Sequence, residues 1–382
     1  MRSKLGRVVT LTFFLAALLV SLGLIGSGWY YSGVLKDQGL VPDWSWPDFD
    51  LEVVIVEEDQ ITLRATAETE EDGPWIQDGI WGLELANSYH RVGSIVEVRD
   101  REVVREFFPN DSRPLVGEMA RLNSSSYSSD PQDAFGIAFQ EVFFSSPLGE
   151  FPAWFVGGTD DTWVIFVHGK GNNRQEALRM LPTMVQLGLP SLVISYRNDE
   201  GLQEDPSGFY QYGQTESEDL EAAADYALEH GAKDLILVGY SMGGAIVTNF
   251  LYQSPLAPRT RGVILDSPLL NFNDTVDFGA REMGIPGVLT AVGKLIASIR
   301  FDLDWDALDY LSRADKLAVP ILLFHGDEDK RVPVETSDVL AEARPDLVTY
   351  IRMPGVPHVR AWNVDPATYS AIVRDFARIL SQ

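Results

Sequence analysis

Gly239-Tyr240-Ser241-Met242-Gly243 follows the apolar run Asp234-Leu235-Ile236-Leu237-Val238 and opens onto a helix-compatible segment that reaches about Leu251. The run predicts a buried strand, the pentapeptide a sharp turn, and the segment beyond it a helix. Flanking glycines remove side-chain bulk where such a turn crowds the backbone. That leaves the Ser241 hydroxyl exposed and the next N–H, that of Met242, free to bind an oxyanion. A glycine-rich loop that merely contains serine is the plainer reading of five residues. The strand before and the helix after favour a nucleophile.

Working outward, strand-like runs alternate with helix-compatible segments from about Phe139 onward. Residues 141–144 and 151–156 suggest an opening hairpin around Pro147-Leu148-Gly149. Strands follow at 163–167, 191–195, 235–238, 262–265, 320–324 and 347–351, with helices at about 174–187, 216–229 and 366–380. Pro182 counts against an unbroken helix at 174–187, because an interior proline kinks or breaks one. Such alternation predicts an α/β fold, a mostly parallel sheet with helices on both faces. No internal repeat is present.

A serine hydroxyl is a poor nucleophile until a base takes its proton. The chain has five histidines. His90 lies in the N-terminal region, and His230 precedes Gly231 at an expected helix end, where a cation suits the helix terminus. His168 and His325 each end a strand and precede a glycine, which reads as tight-turn structure. His358 remains, in Gly355-Val356-Pro357-His358-Val359, after the last expected strand and before the C-terminal helix. Its ordinary pKa near 6.5 suits a general base at neutral pH.

A carboxylate must then fix the tautomer of that histidine. Phe324-His325-Gly326-Asp327-Glu328-Asp329 offers three at the end of a strand, and the residues alone do not choose among them. The order Ser, acid, His matches one arrangement of this triad and excludes two others. The second oxyanion donor is expected from the loop after strand 163–167, His168-Gly169-Lys170-Gly171-Asn172-Asn173-Arg174, with the Lys170 N–H as the choice and its side chain left to solvent. Such chemistry needs no cofactor and no metal.

From about Phe139 to Gln382 the chain resembles an α/β-hydrolase. The matching residues are His168-Gly169 in the oxyanion loop, Gly239-Tyr240-Ser241-Met242-Gly243-Gly244 at the nucleophile elbow, His325-Gly326-Asp327-Glu328-Asp329 with Val332-Pro333, and Pro357-His358. The resemblance selects Asp329 as the acid, the last residue of its motif. It also implies hydrolysis of a carboxylic ester, thioester or amide, with a small-molecule acyl substrate. An acyltransferase or peptidase using the same triad is the alternative within catalysis. A non-catalytic surface protein is the alternative outside it. Between Pro268 and Pro320 lie about fifty residues where this fold often places a lid; 280–287 and 288–299 suggest short helices there.

The N-terminal part reads differently. Residues 8–35 carry no charge, with Arg2, Lys4 and Arg7 before them and Lys36 after. That is longer than the roughly 20 apolar residues a bilayer requires and longer than the apolar region of a cleaved leader, although Gly26-Ser27-Gly28 keeps cleavage as the competing reading. The basic residues ahead of the span keep the N-terminus cytoplasmic and place the rest outside the membrane, with Trp29, Tyr30 and Tyr31 at the outer interface. Residues 41–47 read as an extended tether that carries the chain off the membrane. Residues 51–56, 61–65, 94–98 and 103–104 suggest strands of a small β-rich domain, with Trp75, Trp81 and Tyr89 as aromatic bulk, and residues 123–131 a linker. The expected divisions are 1–36, 37–136 and 137–382, with the lid at about 269–318. A net charge of −26 argues against nucleic acid or anionic lipid headgroups as the main partner. The absence of cysteine removes disulfides and thiolate metal sites.

Overall fold

The computed structural model describes residues 2–45 and 48–382, with side chains from Thr10 onward. Trp46 and Pro47 of the expected tether, and the side chains of Arg2, Lys4 and Arg7, lie outside the described part.

Helix α1 (Arg2–Leu35) runs into a single π-helical turn, Lys36–Leu40. From Leu11 to Ile25 most of its apolar side chains are exposed, with Leu11, Phe13 and Leu19 each more than 60% so. The end of the helix is different, since Ser32 and Leu40 are completely buried. Leu40 accepts a hydrogen bond from the Tyr210 N–H at 2.8 Å, and Gly39 one from the Tyr212 hydroxyl at 2.7 Å. The chain after α1 is therefore held against the main body instead of leading away from it.

Strands β1 (Leu51–Val56), β2 (Gln60–Ala65), β3 (Trp81–Leu85), β4 (Tyr89–Arg99), β5 (Glu102–Phe108) and β6 (Met119–Asn123) close into a barrel in the order β1-β2-β5-β4-β3-β6. Alternating residues such as Val53, Leu63, Leu83 and Val103 fill it. Arg105 is buried beside them and donates to the carbonyls of Gly93 and Gly79 at 2.8 and 3.3 Å. The expected linker 123–131 is fixed structure. Ser126 is fully buried, and Asp130 caps the short helix α2 (Pro131–Phe135), accepting the N–H groups of Gln132 and Asp133.

The second sheet contains β7 (Gln140–Ser146), β8 (Gly149–Val156), β9 (Thr162–Val167), β10 (Ser191–Ile194), β11 (Asp234–Tyr240), β12 (Thr260–Asp266), β13 (Ile321–Gly326) and β14 (Val348–Met353). Their order is β14-β13-β12-β11-β9-β10-β8-β7. Strands β9 to β14 pair in parallel, and β7 and β8 form the antiparallel edge. The helices are α3 (Leu181–Gln186), α4 (Glu216–Glu229), α5 (Met242–Gln253), α6 (Phe272–Glu282), α7 (Gly287–Phe301), α8 (Glu335–Ala343), α9 (Ala361–Val364) and α10 (Pro366–Leu380).

Burial on both faces explains why β9 reads as an unbroken apolar run. Ile165 and Val167 join Leu237 under α4 and α5, whereas Val164 and Phe166 join Val238 under α3 and α10. Two sequence expectations need correction. The segment 174–187 is a 3-10 turn, Arg174–Arg179, followed by α3, so Pro182 falls in a first turn, where its missing N–H costs nothing. In the lid, α6 ends at Glu282 and Gly284 turns the chain at φ 68°, so 280–287 is mostly a corner between helices.

Candidate active site

Parallel pairing of β11 with β9 sets Gly239 opposite Val167, so the loops after both strands emerge side by side. Ser241 ends the first of them with φ 50° and ψ −115°, a conformation costing on the order of 1–3 kcal/mol for a residue with a side chain. Neighbouring backbone holds it there: the Ser241 N–H donates to Asp266 at 3.0 Å, and the Ser241 carbonyl accepts from Gly244 and Leu269 at 2.9 Å. A Cβ at Gly243 would fall 2.2 Å from the Val167 carbonyl oxygen, and one at Gly239 2.6 Å from that of Gly243. Both glycines are required by space.

His358 Nε2 lies 2.9 Å from Ser241 Oγ, and His358 Nδ1 lies 2.6 Å from Asp329 Oδ2. An ionised carboxylate only accepts, so Nδ1 carries the proton and Nε2 is left to accept from the serine. Asp329 is buried, and its other oxygen accepts the N–H groups of Arg331 and Val332 at 2.8 and 2.9 Å. Burial opposes its charge, but His358 and His325 outweigh burial and hold the carboxyl below the usual range. For His358 burial dominates and lowers the pKa, Asp329 offsets part of this, and Arg331 adds to the lowering. Of the other candidate acids, Asp327 is turned to Arg352 and the Gly355 N–H, at 3.1 and 2.7 Å. Glu328 is exposed.

Gly169 and Lys170 reach the same place. A Cβ on Gly169 would approach Ser241 Cβ to 3.1 Å. The Met242 N–H opens α5, where no intrahelical acceptor exists, and the Lys170 N–H has no partner among the described residues. The Lys170 side chain is not left to solvent as expected; its Nζ donates to the Gln38 carbonyl at 2.6 Å.

Four residues that sequence reading passed over hold this arrangement. Glu176 accepts the Gly169 N–H at 2.8 Å and the Asn172 amide at 2.7 Å, fixing the loop from within. His325 bonds Asp329 at 3.0 Å and Ser337 at 2.7 Å, and His168 bonds Asp199 at 2.9 Å; both are buried network members and not mere turn formers. Their signal was available, since a histidine buried at a strand end needs partners for two nitrogens. Ser267 Oγ accepts the Val359 N–H at 3.0 Å, which keeps Val359 at φ 52°, a strained value for a β-branched residue, and so aims His358. Nothing in the spacing of Ser267 announces that.

Gly169, Lys170, Ser241, Met242 and His358 border one cavity of about 930 Å³. Its walls also include Tyr31, Val34 and Leu35 of α1, Trp81 of the barrel, and Phe272 and Val276 of α6.

A mostly parallel sheet that presents a serine on a strained strand-to-helix turn, with a histidine and a carboxylate arriving from later loops, defines an α/β-fold hydrolase. The alpha/beta hydrolase family matches residues 164–380, more than half of the chain, and the chain belongs to that family. Residues 52–123, within the barrel, match a family described as a domain of unknown function (DUF8805). No curated protein sequence matches the chain. Among solved structures, the Pyrococcus furiosus esterase Pf2001 in space group P212121 is 19% identical, with a TM-score of 0.55 over 67% of this chain and 96% of that one. Its C2221 form is 20% identical, with a TM-score of 0.54 over 67% and 95%. An esterase from Exiguobacterium antarcticum is 16% identical, with a TM-score of 0.47 over 63% and 100%. At such identities the likeness to Pf2001 shows a shared fold.

Proposed function

We propose that the chain is a membrane-anchored serine hydrolase that cleaves a carboxylic ester, or a thioester or amide, through an acyl-enzyme. The carrying observation is the unbroken relay from Ser241 Oγ to His358 at 2.9 Å and on to Asp329 at 2.6 Å. Ser241 attacks the acyl carbon while His358 takes its proton. The Met242 and Lys170 N–H groups bind the developing oxyanion, each worth about 10²–10³ in rate. His358 then returns the proton to the leaving group, and water, activated by the same histidine, releases the acid. Asp329 keeps His358 in the required tautomer and stabilises its charged form. That the similar Pyrococcus furiosus protein Pf2001 is an esterase supports the ester among these bonds.

Helix α1 serves as the anchor, with residues 137–382 as the catalytic unit outside the membrane and residues 37–136 as its membrane-proximal companion. The span Thr10–Leu40 is long and apolar enough to cross a bilayer. Retention of α1 is supported by its packing on α7. Arg300 donates to the Trp29 carbonyl and Ser32 Oγ at 2.9 and 2.7 Å, and a Cβ on Gly28 would meet Val292 at 2.6 Å.

A fluorophosphonate probe on the purified full chain tests the reading. Labelling is expected at Ser241, and Ser241→Ala is expected to lose both label and hydrolysis of short-chain 4-nitrophenyl esters by at least about 10³-fold. A folded Ser241→Ala protein that hydrolyses these esters at the original rate overturns it.

A further inference from the structure

The cavity beside Ser241 is charged against the rest of the molecule. The chain carries −26, yet Lys170, Arg331 and Arg360 all line the cavity. Each stands beside a residue of the site in the chain: Lys170 follows Gly169, Arg331 is two past Asp329, and Arg360 two past His358.

None of these cations forms an ion pair with a carboxylate among the described residues. Lys170 and Arg360 donate to backbone carbonyls, of Gln38 at 2.6 Å and Val359 at 3.0 Å. The Nε of Arg360 is buried with no hydrogen-bond partner, and its guanidinium lies 5.1 Å from the centre of the Trp81 ring. Burial, with Arg331 adding, lowers the pKa of Lys170 to about 8. Burial, with Arg179 and Arg331 adding, lowers that of Arg360 to about 9. Arg331 is exposed, whereas Lys170 and Arg360 are half-buried. Partly desolvated cations without an anion are costly, and an incoming anion relieves them.

The remaining charges in the wall are already satisfied. Arg121 pairs with Glu84 at 2.6 Å and Lys294 with Asp277 at 2.6 Å. Asp37 is paired with Lys36 at 3.0 Å, and Glu176 is bound by Gly169, Asn172 and Arg179. Asp43, which faces Lys170, accepts the Ser45 N–H at 2.8 Å. Another part of the lining is apolar, with Val34 and Leu35 from α1 and Val276, Met283 and Ile285 from α6 and the turn after it.

We propose that the site takes an amphiphilic acyl ester whose alcohol portion carries a phosphate-type anion, held by Arg331 and Arg360, while its acyl chain lies along the α1–α6 wall. Guanidinium groups match phosphate oxygens in geometry as well as charge. The proposal rests on the serine hydrolase reading above. The acyl C–O bond breaks and the acyl group passes to Ser241 Oγ. The alcohol leaves with the proton from His358 and keeps its phosphate. Water then supplies the hydroxyl of the released acid and returns the proton to Ser241.

The test compares matched esters on the purified full chain. The soluble pair is 1-butyrylglycerol 3-phosphate against 1-butyrylglycerol; the bilayer pair is 1-oleoylglycerol 3-phosphate against 1-oleoylglycerol in phosphatidylcholine vesicles. In at least one pair, kcat/KM for the phosphorylated ester is expected to exceed that for the neutral one by about tenfold or more. Arg331→Gln and Arg360→Gln should each cut that ratio by about fivefold, and Arg331→Lys should keep most of it. A preference in the soluble pair assigns a free phosphorylated ester, and one confined to vesicles assigns a lipid headgroup; either supports the proposal. Equal turnover within both pairs overturns it and leaves the hydrolase standing. So does a preference that survives in the Arg331→Gln/Arg360→Gln double variant. No turnover of any ester, with no fluorophosphonate label on Ser241, overturns both readings together.

Discussion

His325 and His358 share one carboxylate oxygen: Asp329 Oδ2 lies 3.0 Å from Nε2 of the first and 2.6 Å from Nδ1 of the second. The rings divide the work. His358 continues to Ser241, whereas His325 is fully buried and turns its other nitrogen to Ser337 at 2.7 Å. In the proposed mechanism His325 is therefore a positioning residue that holds Asp329 so that Asp329 can hold His358.

Replacing His325 by Phe keeps a ring of similar size and removes the donor to Asp329. Hydrogen bonds to a charged group are worth about 1.5–3 kcal/mol, so kcat is expected to fall about 10–100-fold. KM should change little, because His325 is not among the cavity-lining residues. His325→Gln, which retains a donor, should recover part of the loss. Steady-state kinetics on folded variants distinguishes this from general destabilisation, which would lower the active fraction without altering the pH profile.

The acid limb of the pH profile reports His358. As a base it must be neutral, so activity is present above its pKa and is lost as pH falls through it. Burial lowers that pKa, and the Arg331 charge adds to the lowering. The inflection in kcat/KM is accordingly expected below the ordinary value near 6.5. Arg331→Gln removes a repelling cation and should move the inflection upward. An unchanged inflection in that variant would remove Arg331 from the electrostatics of the site.

Asp329 and Asp327 are two residues apart in the same turn and face different neighbours. Asp329→Asn leaves an amide that no longer fixes the His358 tautomer, and a loss of about 10⁴ in kcat is expected. Asp327→Asn disturbs only contacts to Arg352 and Gly355 at the surface and should leave kcat within about twofold. Measuring both in one assay tests the assignment of the acid.

Sequence reading went furthest where local rules and burial agree. The strand runs were legible because parallel strands covered on both faces are continuously apolar, and Ser241 because its turn demands glycine on both sides for space. Choosing Asp329 over Asp327 needed the family resemblance, since both end the same strand and only the packing of His325 and the N–H groups of Arg331 and Val332 separates them. Ser267 was invisible because its bond to Val359 crosses between distant loops, and Glu176 because its bonds to Gly169 and Asn172 lie within an irregular turn, leaving no periodicity behind. The same holds for α1, whose composition announces a helix long and apolar enough to cross a membrane but not that its last turns wall the cavity.

The barrel is tied to the main sheet through Asn363. Its Nδ2 donates to Ile80 O, Ser124 O and Ser126 Oγ at 2.7, 2.9 and 3.0 Å, while its Oδ1 accepts from Arg179 at 2.9 Å. The side chain is fully buried, so Asn363→Ala strands several polar groups without water. A destabilisation of about 1–3 kcal/mol is expected. Thermal unfolding should show it as a lower first transition, with the barrel exchanging amide hydrogens earlier than β11 to β13.

Helix α1 offers the last prediction, because its two parts meet different surroundings. From Leu11 to about Ile25 most of its apolar side chains are exposed, and from Gly28 it packs on α7, with Arg300 set 3.8 Å from the centre of the Trp29 ring. Deleting residues 2–25 should release the chain from the membrane fraction while leaving the cavity wall in place, so hydrolysis of a short soluble ester should stay within about threefold. Deleting residues 2–40 also removes Tyr31, Val34 and Leu35 from the cavity and Leu40 from the core. That variant should show a KM raised about tenfold or more for esters with long acyl chains, since each buried methylene contributes about 0.8 kcal/mol. Fractionation and the dependence of KM on chain length check the two parts separately. A shorter deletion that remained with the membrane would place the anchor elsewhere, on the exposed face of α7, where Val288, Leu295 and Ile299 are each more than 60% exposed.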